Sequence, residues 1–225
     1  MQLYTPSEIQ QTQQDLPYLN EIMEWVKNFL AAPHPNLGRS GSVCPYVANA
    51  MRLNSIRMAV IPAKNLDFQQ LEDIVQRYRD IFLKIDAEDK ELAIYKAFIL
   101  IFPDMSMDED LKLIEQIQRK LKPLFVETGL MIGEFHNHTQ SPGLHNPDFR
   151  PLRSPIPLLA IRFMVESDLP FMQSSNDPPQ VRINYLEAYL KHFADQIIDK
   201  TKLDTAYQAL ALAKEQLQEE NAVLL

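Results

Sequence analysis

Residues 93–102 read Ala93-Ile94-Tyr95-Lys96-Ala97-Phe98-Ile99-Leu100-Ile101-Phe102 and are followed by Pro103-Asp104. From Ala97 onward the run has no polar position and no alternation, as expected of a strand buried on both faces, and Pro103-Asp104 closes it. The whole stretch from Ala93 to Phe102 is read as that strand. A strand with two dry faces requires cover, and the flanking sequence supplies helices for at least one face of the sheet.

On the amino-terminal side, Ser55 to Ile61 reads as another strand, closed by Pro62. Asp67-Phe68-Gln69-Gln70 then matches a capping box, and Phe68, Leu71, Ile74, Val75, Tyr78, Ile81, Phe82 and Ile85 fall on one helical face. On the carboxyl-terminal side, Ser106-Met107-Asp108-Glu109 is a second capping box. It opens a helix with Leu111, Ile114, Ile117, Leu121 and Leu124 in a stripe, which Pro123 is expected to kink or end.

Further out, Leu130 to His136 and Pro157 to Val165 read as two more strands joined by about twenty residues, a loop length usually reserved for function. Asp15-Leu16-Pro17 starts a helix carrying Leu19, Ile22, Val26 and Phe29, which Pro33 and Pro35 end. Pro45 opens a short helix through Met51. Helices are also expected from about Arg182 to Ile198 and from about Leu203 to Leu217. The latter presents Leu203, Ala206, Leu210, Ala213 and Leu217 in a narrow stripe that packs on its own domain or, in a homodimer, on a second subunit. The expected fold is therefore a single α+β domain over 1–225, with a mixed, mainly four-stranded sheet packed by helices, an N-terminal helical segment at 1–35 and a C-terminal helix at 200–225.

Composition narrows the function. The 225 residues are 46% hydrophobic and 23% charged, which excludes disordered and low-complexity classes. A formal net charge of -8 opposes a general role on nucleic acid, where a clustered positive footprint is needed. The longest apolar run, 97–102, is far short of the ~20 residues that cross a bilayer, so no membrane partner is expected. The polar start Met1-Gln2-Leu3-Tyr4-Thr5-Pro6 lacks a secretory pattern, and the lone Cys44 permits no internal disulfide. A cytoplasmic protein with a small-molecule ligand is expected.

The chemistry-bearing residues gather in two loops. Residues 136–157 hold His136, His138 and His145, three of the five histidines. Neutral imidazoles ligate transition metals, so a His-ligated metal enzyme is one reading, and a bond from each ring to a loop carbonyl is the other. Arg150 and Arg153 stand among prolines that restrict the backbone. They suit a carboxylate or phosphate, or else form salt bridges with Asp148 or Glu134. Arg162 interrupts an apolar strand and either faces a ligand or is paired internally. In the other loop, 36–45, Gly38-Arg39-Ser40-Gly41-Ser42 offers amides and Arg39 to an anion. Cys44 at a helix start is a candidate nucleophile or simply a small buried residue.

The runs Gly-Leu-Met-Ile-Gly-Glu-Phe-His at 129–136 and Gly-Leu-His-Asn-Pro-Asp-Phe-Arg-Pro-Leu-Arg-Ser-Pro at 143–155, with Gly-Arg-x-Gly-x-Val-Cys-Pro at 38–45, resemble an uncharacterised bacterial domain family. More distantly, the order Cys-Pro, strand, helix, His near Pro, two spaced arginines and a proline-led strand is similar to the YqcI/YcgG-like family. Some members of that family are haem-dependent amine N-oxygenases. This similarity implies a haem-binding oxidoreductase acting on a nitrogen group of a small metabolite. His145 would be the axial ligand, Arg150 and Arg153 the propionate partners, and Leu144, Phe149 and Phe163 the apolar cover. Here Asn146 separates His145 from Pro147. No catalytic residue is assigned. The alternative reading is a non-catalytic module for an anionic small molecule.

Overall fold

A computed structural model describes residues 3–11, 17–85 and 90–223. The expected helix start at Asp15-Leu16 and the first two residues lie outside them. In chain order the elements are α1 (Pro6–Gln11), α2 (Pro17–Trp25), a π-helical turn (Val26–Leu30), a 3-10 turn (Pro35–Leu37), α3 (Val47–Arg52), β1 (Ile56–Val60) and α4 (Phe68–Lys84). A 3-10 segment (Lys90–Tyr95), β2 (Ala97–Ile101), α5 (Asp108–Glu127), β3 (Leu130–Phe135) and β4 (Leu158–Phe163) follow. A short 3-10 turn (Glu166–Asp168), α6 (Leu169–Met172), α7 (Pro179–Phe193) and α8 (Lys200–Val223) complete the order.

The protein is α+β, with a mixed four-stranded sheet in the order β1-β2-β4-β3. β1 runs parallel to β2, Ile56 opposite Ala97 through Val60 opposite Ile101, as a crossover through α4 allows. β4 runs antiparallel to β2, with Ala97 opposite Arg162 and Ile101 opposite Leu158. The alternation along β2 builds both dry faces. Ile99 and Ile101 join Ile56, Met58, Ile22 and Val26 in one cluster, while Phe98 on the other face meets Phe82 of α4 edge-on at 5.0 Å.

The α4 cap forms as expected: Asp67 Oδ1 accepts from Gln70 N at 2.8 Å, and Gln70 Oε1 accepts from Asp67 N at 3.0 Å. Its other end explains why β2 starts late. Residues 90–95 turn as a 3-10 segment, which brings the buried Lys96 to the last turn of α4. There its Nζ donates to the carbonyls of Phe82 at 2.7 Å and Ile85 at 2.6 Å. Orphan carbonyls at the end of α4 thus gain a charged donor, and Ala93-Ile94-Tyr95 is drawn out of the sheet.

Three further expectations change. The cap of α5 falls one residue later than Ser106-Met107-Asp108-Glu109 implies, because Met107 N donates to Asp110 Oδ2 at 3.1 Å. Pro123 does not end α5, which continues to Glu127: the proline is on the exposed side and buried Leu121, Phe125 and Val126 hold the turns around it. Phe125, not Leu124, carries the buried stripe onward. The short α1 was not expected.

The chain divides into two compact units, Met1–Lys120 with Ile132–Phe163, and Leu121–Met131 with Met164–Leu225. The first contains most of the sheet and both motif loops. In the second, Ala206 and Ala213 of α8 are fully buried in a cluster with Ile183, Leu186 and Tyr189 of α7, so the stripe on α8 packs within its own unit. Among the described residues no helix is long and apolar enough to cross a membrane.

Candidate functional site

The two motif loops lock together in the first unit. Gly38 adopts a left-handed φ of 77°, and a Cβ there would stand 2.6 Å from the carbonyl oxygen of His145. Only glycine permits that approach. Beside it, Asn146 Nδ2 donates to the carbonyl of Asn36 at 2.8 Å, while its Oδ1 accepts from Asp148 N at 3.0 Å. The asparagine between His145 and Pro147 therefore fastens one loop to the other and shapes its own turn. An aromatic contact completes the lock: the His34 ring stacks on buried Phe149 at 4.6 Å, and Phe29 borders both.

Each loop arginine is held by backbone oxygen. Arg39 Nη1 donates to Ser40 O at 2.9 Å and Nη2 to Val43 O at 3.1 Å. Arg150 Nη1 donates to the carbonyls of Pro147 and Phe149. Arg153 Nε donates to Thr139 O at 3.2 Å. Among the described residues no carboxylate pairs with any of the three, so neither Asp148 nor Glu134 is their partner. Each guanidinium keeps its charge and has N–H groups left over. Arg162, opposite Ala97 in the sheet, is half-buried and donates from Nη1 to Phe163 O at 2.9 Å.

The three histidines part company. His136 is buried and its Nε2 lies 3.1 Å from Glu115 Oε1, whereas exposed His138 meets Asp108 Oδ1 through Nδ1 at 3.1 Å. His145 sits on the locked loop with an exposed ring. Among the described residues no group of three or more His, Cys, Asp and Glu side chains gathers to hold a metal ion. Burial pushes the His136 pKa down, against the raising influence of Glu115. Cys44 is a free, partly buried thiol that packs against the core beside Val43 and Val47.

For a haem, the exposed His145 ring and the spare guanidinium donors suit the iron and the propionates, but the apolar faces lack their cover. Phe149 is stacked on His34, and Phe163 packs on Phe82 at 5.1 Å beneath Lys96. Leu144 alone of the three expected covers is exposed.

The sequence reading missed Glu115, Asp108 and His34. The available signal was spacing: Asp108 and Glu115 are seven apart and share a helix face, so they can meet two histidines that alternate past the end of a strand. In the second unit, an open cleft of about 890 Å³ is lined by Asp177, Arg182, Gln216, Glu219 and Glu220 among others. Arg182 there is tied to Asp177 O and, at 2.6 Å, to Gln216 Oε1.

Fold and site together define an α+β protein whose distinctive feature is a pair of interlocked loops bearing three arginines that have no acidic partner among the described residues. The chain belongs to the family described as "Domain of unknown function (DUF6875)", whose model matches residues 19–204 and so takes in both loops. No curated protein and no solved structure matches it.

Proposed function

We propose that the interlocked loops bind an anionic small molecule, a carboxylate or a phosphate, and that the protein acts as a binding module. The observation that carries this reading is the bonding of Arg39, Arg150 and Arg153 to carbonyls instead of carboxylates. A guanidinium paired with an acid has largely spent its attraction for a second anion. One oriented by neutral oxygens keeps both charge and donors, at no cost in breaking an ion pair when ligand arrives. The setting is unusual in a chain of net charge -8. A cytoplasmic location suits the free thiol of Cys44.

The test is the melting temperature of the protein titrated with pyrophosphate and with citrate. A ligand at a hundred times its Kd stabilises by about 2.7 kcal/mol, or roughly 5–10 °C for a chain of this length. Arg150→Ala should cut the shift to about half at the same ligand concentration, and His145→Ala should leave it. A second reading, haem binding as in the YqcI/YcgG-like proteins, rests on the exposed His145 ring. It requires a saturable Soret band with stoichiometric haemin that His145→Ala weakens or shifts, and its absence removes that reading.

A further inference from the structure

The turn after β3 contains two buried polar atoms for which the described residues supply no partner. His136 is 1% exposed and Thr139 is 3% exposed, yet neither His136 Nδ1 nor Thr139 Oγ1 makes a hydrogen bond, to each other or to any other of the described residues. Such atoms are rare in native interiors, and each is costly unless a guest satisfies it.

The surrounding bonds define what the guest must be. His136 Nε2 faces Glu115 Oε1 at 3.1 Å, which places the proton of the neutral ring on Nε2 and leaves Nδ1 as an acceptor. The turn is held in place: Thr139 N donates to His136 O at 3.2 Å, and Arg153 Nε donates to Thr139 O at 3.2 Å. An acceptor nitrogen repels an anion, so the guest is not the ligand of the loop arginines. A charged group would also lose its hydration in so buried a place.

We infer that the His136–Thr139 turn is a binding site for one small neutral O–H or N–H donor, which donates to His136 Nδ1 and bonds the Thr139 hydroxyl. Water is the smallest such donor, and a hydroxyl of a bound metabolite has the same chemistry. Interior waters typically occupy sites of this kind, bridging groups that the chain leaves unsatisfied. Glu115 acts as a positioning residue by selecting the tautomer.

The direct test is the ¹⁵N shift of His136 Nδ1 in the full chain at neutral pH, together with the melting temperature of Thr139→Val. A hydrogen-bonded Nδ1 should resonate shielded from the position of a free imidazole nitrogen. Thr139→Val, equal in shape but without the hydroxyl, should melt about 3 °C lower, and Thr139→Ser should recover most of that. Cross-relaxation between the Thr139 methyl and the solvent resonance identifies the guest as water. Added mass in the native spectrum without such cross-relaxation identifies a metabolite. A free-nitrogen shift at Nδ1 overturns the site, and so does a Thr139→Val protein that melts at or above the wild-type temperature.

Discussion

Two arginine settings in this molecule differ in what surrounds the guanidinium. Arg39, Arg150 and Arg153 in the locked loops bond carbonyl oxygens and meet no carboxylate among the described residues. Arg182 lines an open cleft with Asp177, Glu219 and Glu220 and is tied to a carbonyl and an amide oxygen. The cleft is roomy, but its acids outnumber its arginine. The loops carry fixed positive charge that no carboxylate among the described residues pairs with. An anion site is decided by that uncancelled charge and by the rigidity of its mount, more than by the size of a depression.

The rigidity can be broken first. Phe149→Ala removes a buried ring from the stack with His34 and should cost about 3–5 kcal/mol, seen as a lower midpoint in urea denaturation. Gly38→Ala forces a side chain into left-handed backbone against the His145 carbonyl, for about 2–3 kcal/mol. Citrate should then protect the protein less, since the loops no longer hold their register. A smaller effect isolates the charge: Arg150→Ala should weaken citrate binding about tenfold, or about 1.4 kcal/mol, with the unliganded melting point changed little, whereas Arg182→Ala should leave binding unchanged.

The smallest effect concerns pH. His136 has its pKa lowered on folding, by burial first and by neighbouring His138, with Glu115 opposing. Because the unfolded chain takes up the proton more readily, stability is full above the ordinary histidine range. It is lost as pH falls from there toward the lowered folded value. Denaturation between pH 7 and 5 should show this slope, and His136→Gln should flatten it.

Much of this was legible in the sequence, and the reasons for the remainder are local. Ala97–Ile101 could be read because a strand covered on both faces has no polar position. Ala93–Lys96 could not, because the role of Lys96 is set by the distant carbonyls of Phe82 and Ile85. The two loops stood out by their histidines, arginines, glycines and prolines. Their interlock was invisible, since it depends on Gly38 admitting a carbonyl from a residue more than a hundred positions away. Arg150 and Arg153 could be picked out as a pair in one loop, but carbonyl partners leave no trace in residue type. Asp108 and Glu115 were hidden as ordinary helical acids until the strand end brought His136 and His138 to them.

The most direct measurement follows the arginine Nε resonances while pyrophosphate is added to the native protein at low salt. An anion site in the loops predicts saturable shifts for Arg39, Arg150 and Arg153, with Arg182 unmoved, and about tenfold more pyrophosphate to reach the Arg39 and Arg153 shifts in Arg150→Ala. Equal movement of Arg182, or no movement of the loop arginines up to millimolar pyrophosphate, would contradict it.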